Sequence, residues 1–166
     1  MSALKKILVP TDFSEGSAAA LKYACGLAEQ VSASICVLHA VEDPIQLGTY
    51  TEFYTPPPEF AERIERQAQA SLQSVLTPDE QQRYRAMLVL RHGAAAHEIL
   101  TYLYEHDDVG LVVMATHGRG GVARLMLGSV ADKVLRAAPC PVLTVRASHP
   151  KESASHPQDS RTACAV

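Results

Sequence analysis

The sequence predicts an open, doubly wound α/β fold, with five mostly parallel strands in one sheet and helices on both faces. Three observations lead there. Four apolar runs, 7–9, 35–41, 111–115 and 142–145, are rich in Val, Ile and Leu and do not alternate with polar residues. Such runs are the mark of parallel strands covered on both sides. Between them lie apolar stripes of helical period, so strand and helix alternate along the chain. The chain has 166 residues, 47% hydrophobic and 20% charged, which suits one domain with an ordinary core.

The elements follow in order. After strand 7–9, Leu21, Ala24, Ala28 and Val31 form the inward stripe of a first helix, which leads to strand 35–41. Residues 43–58, DPIQLGTYTEFYTPPP, hold four prolines and three aromatics, which predicts an irregular loop over one edge of the sheet, able to act as a lid. Phe60, Ile64, Ala68, Leu72 and Val75 mark a second helix. Thr77, Pro78, Asp79 and Glu80 fit a capping box with proline at the first helical position, and a short turn is expected before the next strand. That strand, 87–90, is flanked by arginines. A third helix carries Ala96, Ile99, Leu100 and Leu103, and strand 111–115 follows. The last helix starts at Ser129 with Val130, Val134 and Leu135 facing inward, before strand 142–145. The expected domain is 1–146. Residues 147–166 are rich in Ser, His and Pro and nearly free of apolar residues, which predicts a disordered tail in which His149 and His156 are solvated.

The formal net charge of −3 gives no basic field, so neither nucleic acid nor a membrane surface is expected as a partner. The opening MSALKKILVP has no apolar stretch of signal-peptide length, and no run is long enough to span a bilayer. The expected location is the cytoplasm. Cys25, Cys36, Cys140 and Cys164 are too widely spaced for a zinc or redox pair. Cys25 and Cys36 fall in helical and strand patterns and read as small core hydrophobes.

In open α/β sheets a ligand sits beyond the carboxyl ends of the strands, near the point where strand order reverses. Three strand ends converge there: 9–12 (VPTD), 38–41 (LHAV) and 114–118 (MATHG). From the last of these runs MATHGRGGVARLMLGS, residues 114–129, a glycine-rich connection into the last helix. The first amides of a helix lack intrahelical partners and attract anions. Gly118 and Gly128 would let main chain approach a phosphate, Ser129 can donate a hydroxyl hydrogen bond, and Arg119 and Arg124 can add charge. No lysine follows Gly128, so this is not a Walker loop, and Gly118, Gly120 and Gly121 do not complete a dinucleotide fingerprint. The alternative is a connection whose glycines only turn the chain, with Ser129 a plain N-cap and the arginines solvated. Asp12 can accept both hydroxyls of a ribose or hold magnesium through water; equally, it can cap the first helix, three residues before Glu15. His39 and His117 lie near the crevice, without a nucleophile or metal set beside them.

The motifs KKILVPTDFSE (5–15), LHAV (38–41), HGAAAHEI (92–99) and 114–146 resemble the universal stress protein family, UspA-type, in its ATP-binding branch. The likeness runs from Lys5 to about Arg146. That branch is marked by Gly, two residues, Gly, nine residues, then Gly followed by Ser or Thr; Gly118, residues 119–127, Gly128 and Ser129 reproduce its second part. Ala115 stands where the first glycine is expected. The resemblance implies a Rossmann-like sheet of the adenine nucleotide alpha hydrolase-like kind and ATP, with Mg2+, as the cofactor. It implies that Asp12 meets the ribose and that Pro10, Thr11, Ala40 and Val41 border the adenine. Met114 and Ala115 would lie by the ribose, with Gly118, Gly128, Ser129 and Val130 on the phosphates. It also implies a homodimer through residues 141–145. The function expected is a stress-response regulatory module with little or no turnover. The alternatives are a slow ATPase or self-phosphorylating enzyme using Ser129 or Thr116, and a nucleotide-free interaction protein marked by Ala115.

Overall fold

A computed structural model describes residues 4–42, 58–116 and 128–146. Ten elements succeed one another: β1(Lys6–Pro10), α1(Glu15–Val31), β2(Ser34–Val41), α2(Pro58–Gln73), α3(Pro78–Arg83), β3(Met87–His92), α4(Ala95–Glu105), β4(Val109–Ala115), α5(Ser129–Ala137) and β5(Val142–Val145). The strands form one sheet in the order β3-β2-β1-β4-β5, and every pairing is parallel. The chain winds from β1 outward to β3, returns across the sheet to β4, and winds outward again to β5. The reversal lies between β1 and β4, the neighbours at the centre.

Because successive strand residues face opposite ways, the unbroken apolar runs feed two cores. Ile7, Val9, Ile35, Val37 and Val113 meet Ala20, Leu21, Ala24 and Ala28 of α1, with Leu72, Leu76 and Tyr84 on the same side. Leu8, Cys36, Leu38, Val112 and Met114 meet Ile99, Tyr102 and Leu103 of α4 and Ala131 and Val134 of α5. Each large apolar side chain so buried contributes about 1.5–3 kcal/mol relative to exposure. Cys25 and Cys36 belong to these cores as small apolar residues.

Several local expectations change. Val31 is the last residue of α1 and is 41% exposed, because α1 ends at Ser32 in the left-handed conformation, φ 55°, which turns the chain away from the core face. In α5 the inward positions are Ala131 and Val134, while Leu135 is 41% exposed. The short helix is rotated so that Ala131 and Val134 join the core that α4 also covers. The Thr77 box forms as expected, with Thr77 N–H donating to Glu80 Oε2 at 2.8 Å and Glu80 N–H donating to Thr77 Oγ1 at 3.3 Å. It opens the six-residue helix α3, where a turn was expected. The start of α4 has no side-chain cap of its own; Glu42, just past β2, accepts from Ala95 N–H at 3.0 Å. No described helix is long and apolar enough to cross a membrane. Of the loop expected over 43–58, Pro58 is instead the first residue of α2, and 43–57 lie outside the described residues, as does the tail 147–166 with Cys164.

Candidate functional site

At the strand-order reversal, the carboxyl ends of β1 and β4 diverge from their shared ladder, whose last pair is Leu8 with Val112. Pro10 is buried there. Thr11 N–H still donates to Leu38 O of β2 at 2.8 Å, and then the chain turns sharply. Phe13 adopts φ 63°, a left-handed conformation that costs a bulky L-residue about 1–2 kcal/mol. Several bonds hold it. Phe13 N–H donates to Thr11 Oγ1 at 3.1 Å, and Thr11 Oγ1–H donates to Ser17 Oγ at 3.1 Å. Ser14 donates twice to Asp12 Oδ1, from N–H at 3.1 Å and from Oγ–H at 2.6 Å.

These bonds decide one of the open alternatives. The N-cap of α1 is Ser14, whose Oγ accepts from Ser17 N–H at 3.3 Å. Asp12 does not cap the helix, and no box with Glu15 forms, since Glu15 is already the first helical residue. Asp12 instead braces the cap from two residues upstream. From β2, the ring of His39 reaches across: Nδ1 lies 2.8 Å from Thr11 O, and a carbonyl only accepts, so Nδ1 carries the proton. The same ring sits 4.2 Å from that of Phe13. Beyond it, Ala40 and Val41 are half-buried at the end of β2, paired with Arg91 and His92 of β3.

On the other side of the reversal, Met114 is 5% exposed and Ala115 half-buried, in regular register with Thr144 and Val145. Ala115 is not among the positive-φ residues, so its strand conformation makes no demand for glycine. Thr116 N–H donates to Val145 O at 3.0 Å, and Thr116 O accepts from Gly128 N–H at 2.8 Å. That last bond brings the start of α5 to the same edge of the sheet as Pro10, Thr11 and Asp12.

Gly128 is the N-cap of α5, with φ −60° and ψ 149° and no side-chain cap hydrogen bond. Ser129 is the first helical residue, exposed, and not the N-cap. The backbone at Gly128 is one any residue adopts, so this glycine is not there to turn the chain. Its effect is to leave the first amides of α5 without the side-chain oxygen that Ser, Thr, Asp or Asn would place on them. Val130 is half-buried against the α4 side of the sheet. Asp132, whose charge in the first turn would oppose an anion, is gripped by Arg136 Nε at 3.0 and 3.1 Å. His117, Gly118, Arg119 and Arg124 lie outside the described residues.

Of the residues singled out in sequence, Pro10, Thr11, Asp12, Ala40, Val41, Met114, Ala115, Gly128, Ser129 and Val130 all lie at this edge. Sequence reasoning missed the left-handed Phe13, the proton-bearing Nδ1 of His39 and the Glu42 cap on α4. No local signal marks a phenylalanine for positive φ, and the other two depend on neighbours in space.

Comparison with protein families finds the universal stress protein family over residues 3–146. Universal stress protein MJ0531 of Methanocaldococcus jannaschii is 32% identical over 142 residues, covering 86% of this chain and 82% of that relative. Among solved structures, the universal stress protein UspA from Lactobacillus plantarum aligns with a TM-score of 0.71 at 24% identity, over 88% of this chain and all of that one. A universal stress protein crystallised in complex with cAMP aligns with a TM-score of 0.61 at 22% identity, over 89% of this chain.

Proposed function

The chain belongs to the universal stress protein family, and on that premise we propose that it binds ATP at the β1–β4 reversal as a regulatory module with little or no turnover. Asp12 takes the ribose, Pro10, Thr11, Ala40 and Val41 border the adenine, and Met114 and Ala115 lie by the sugar. The amides of Ser129 and Val130, opened by Gly128, take the phosphates together with Gly118 and Arg119. The observation that carries the reading is the N-cap of α5: a glycine at an ordinary φ, which places no side-chain cap of its own on the helix amides at the edge where Asp12 also stands. A relative solved with cAMP supports an adenine nucleotide as the ligand class. Mg2+ would accompany the phosphates of the nucleotide and offset their charge, while Asp12 serves the ribose. Low turnover fits a sequence with no Walker lysine after Gly128 to neutralise a γ-phosphate.

Assembly and location belong to the same proposal. The outer edge of β5 has no strand partner among the described residues, and such an edge invites pairing. We assign it to a homodimer. The net charge of −3 supports a protein that engages neither nucleic acid nor membrane, and we assign it to the cytoplasm. Residues 1–146 form the functional domain, with 147–166 appended to it.

The test begins with freshly purified protein, denatured so that any released small molecule can be identified, and continues with calorimetric titration of ATP. Gly128→Asp supplies the missing cap and a negative charge. It should hold or raise Tm, yet weaken ATP binding by about a hundredfold or more. Gly128→Val tests space without charge and should also abolish binding. Unchanged affinity in both variants sinks the cradle. Stoichiometric phosphate appearing on Ser129 or Thr116 after incubation with ATP would favour the self-phosphorylating alternative, and no binding at all the nucleotide-free one.

A further inference from the structure

We propose that His39 is a positioning residue, which fixes the turn 11–14 and through it the Asp12 carboxylate. The inference rests on the nucleotide-binding reading only for its functional consequence. The turn contains a phenylalanine in the left-handed region, φ 63°, and such a conformation persists only where neighbours over-determine it. Inside the turn, Thr11 Oγ1 holds Phe13 N–H, and Asp12 Oδ1 holds Ser14. Those bonds tie the turn to itself and to α1, but not to the sheet.

Thr11 N–H reaches the sheet at Leu38 O, and His39 adds a side-chain tie to it. Its Nδ1–H donates to Thr11 O at 2.8 Å, directly after the last β1–β2 ladder bond, from Thr11 N–H to Leu38 O. Its ring also lies against Phe13, with centroids 4.2 Å apart and planes inclined by 38°. One side chain of β2 thereby touches the residue before Asp12 and the residue after it. Because Asp12 Oδ1 is engaged by both donors of Ser14, the plane of the carboxylate follows the turn. The next two residues of β2 after His39 are Ala40 and Val41, so the adenine border and the ribose acceptor move as one body. Loss of the His39 bond would therefore act on recognition of the sugar rather than on the phosphates.

The experiment compares wild type with His39→Leu, which removes the donor, and His39→Asn, whose amide nitrogen can occupy the place of Nδ1. His39→Phe, which keeps a ring against Phe13 without a donor, stands in should His39→Leu fold poorly. Two readouts are taken: amide hydrogen exchange in residues 11–17 without nucleotide, and the ratio of Kd for 2′,3′-dideoxyATP to that for ATP. In His39→Leu, exchange in 11–17 should quicken and the ratio should fall about tenfold towards one, with His39→Asn close to wild type in both. Exchange in His39→Leu and His39→Phe indistinguishable from wild type overturns the proposal. So does His39→Asn behaving as His39→Leu, because the donor would then not be what matters. Should wild type bind neither nucleotide, the ATP reading fails, and the exchange measurement alone decides the role of His39.

Discussion

On the inner face of α1, burial raises the Cys25 thiol pKa from an ordinary 9.0 to about 11, helped by the nearby charges of Glu80 and Glu29. A thiol that ionises later in the folded state favours folding at neutral pH and loses that advantage as the unfolded thiol ionises. Stability measured by urea unfolding should therefore fall as pH rises from about 9 to about 11, and Cys25→Ser should flatten that part of the profile. Burial raises the Cys36 thiol as well, outweighing the hydrogen bond that the Tyr102 hydroxyl can give to its thiolate form; the neutral thiol donates to the Tyr102 oxygen at 3.3 Å. Both thiols should resist alkylation at pH 8 in the native protein and react after denaturation. The helical and strand patterns around these cysteines had marked them as core residues. Asp12 was different: its spacing to Glu15 suited a cap as well as a ligand, and only the position of Ser14 as N-cap removed the first of these.

Among elements, α3 and β5 make contrasting demands. The helix α3 has six residues and no buried ones, so its reciprocal box at Thr77 and Glu80 does much of what packing does elsewhere. Thr77 N–H at 2.8 Å and Thr77 Oγ1–H at 2.9 Å both donate to Glu80 Oε2 and hold its carboxyl below the usual range. Thr77→Ala should cost about 1 kcal/mol, measured by chemical denaturation. In β5, the carbonyls of Pro141 and Val145 face β4, where they accept from Val112 and Thr116. By strand alternation the N–H of Thr144 faces the open edge. Thr144→Pro removes a donor there without touching the β4 ladder and should leave the protein folded but monomeric by sedimentation. A persisting dimer would exclude this edge as the interface. The Thr77 signal was readable because a capping box is local, whereas the rotation of α5 was not. Its nine residues could have turned Leu135 inward, and the fit of Ala131 and Val134 against α4 and the sheet settled which side is buried.

For the whole molecule, two cores on one five-stranded sheet make the central strands the common support of both faces. Leu38, 1% exposed in β2, packs on the α4 face directly before His39. Leu38→Ala should cost about 2–5 kcal/mol, a large share of a domain's stability of about 5–15 kcal/mol, and lower Tm on the order of ten degrees. If ATP binds as proposed, saturating nucleotide should recover part of that loss, by about 2.7 kcal/mol at a hundredfold excess over Kd. The sequence by itself determined the alternation of strands and helices, the two-sided burial of the sheet, and which strand ends meet at the reversal of strand order. Those are properties of hydrophobic period and of glycine and capping spacing, which neighbouring residues carry among themselves. The tertiary structure alone decided that Gly128 and not Ser129 caps α5, that Phe13 is held left-handed, and that His39 reaches Thr11 across the β1–β2 ladder. Those contacts join atoms distant along the chain, and strand register and helix rotation, which arise from packing all the elements together, fix where such atoms meet.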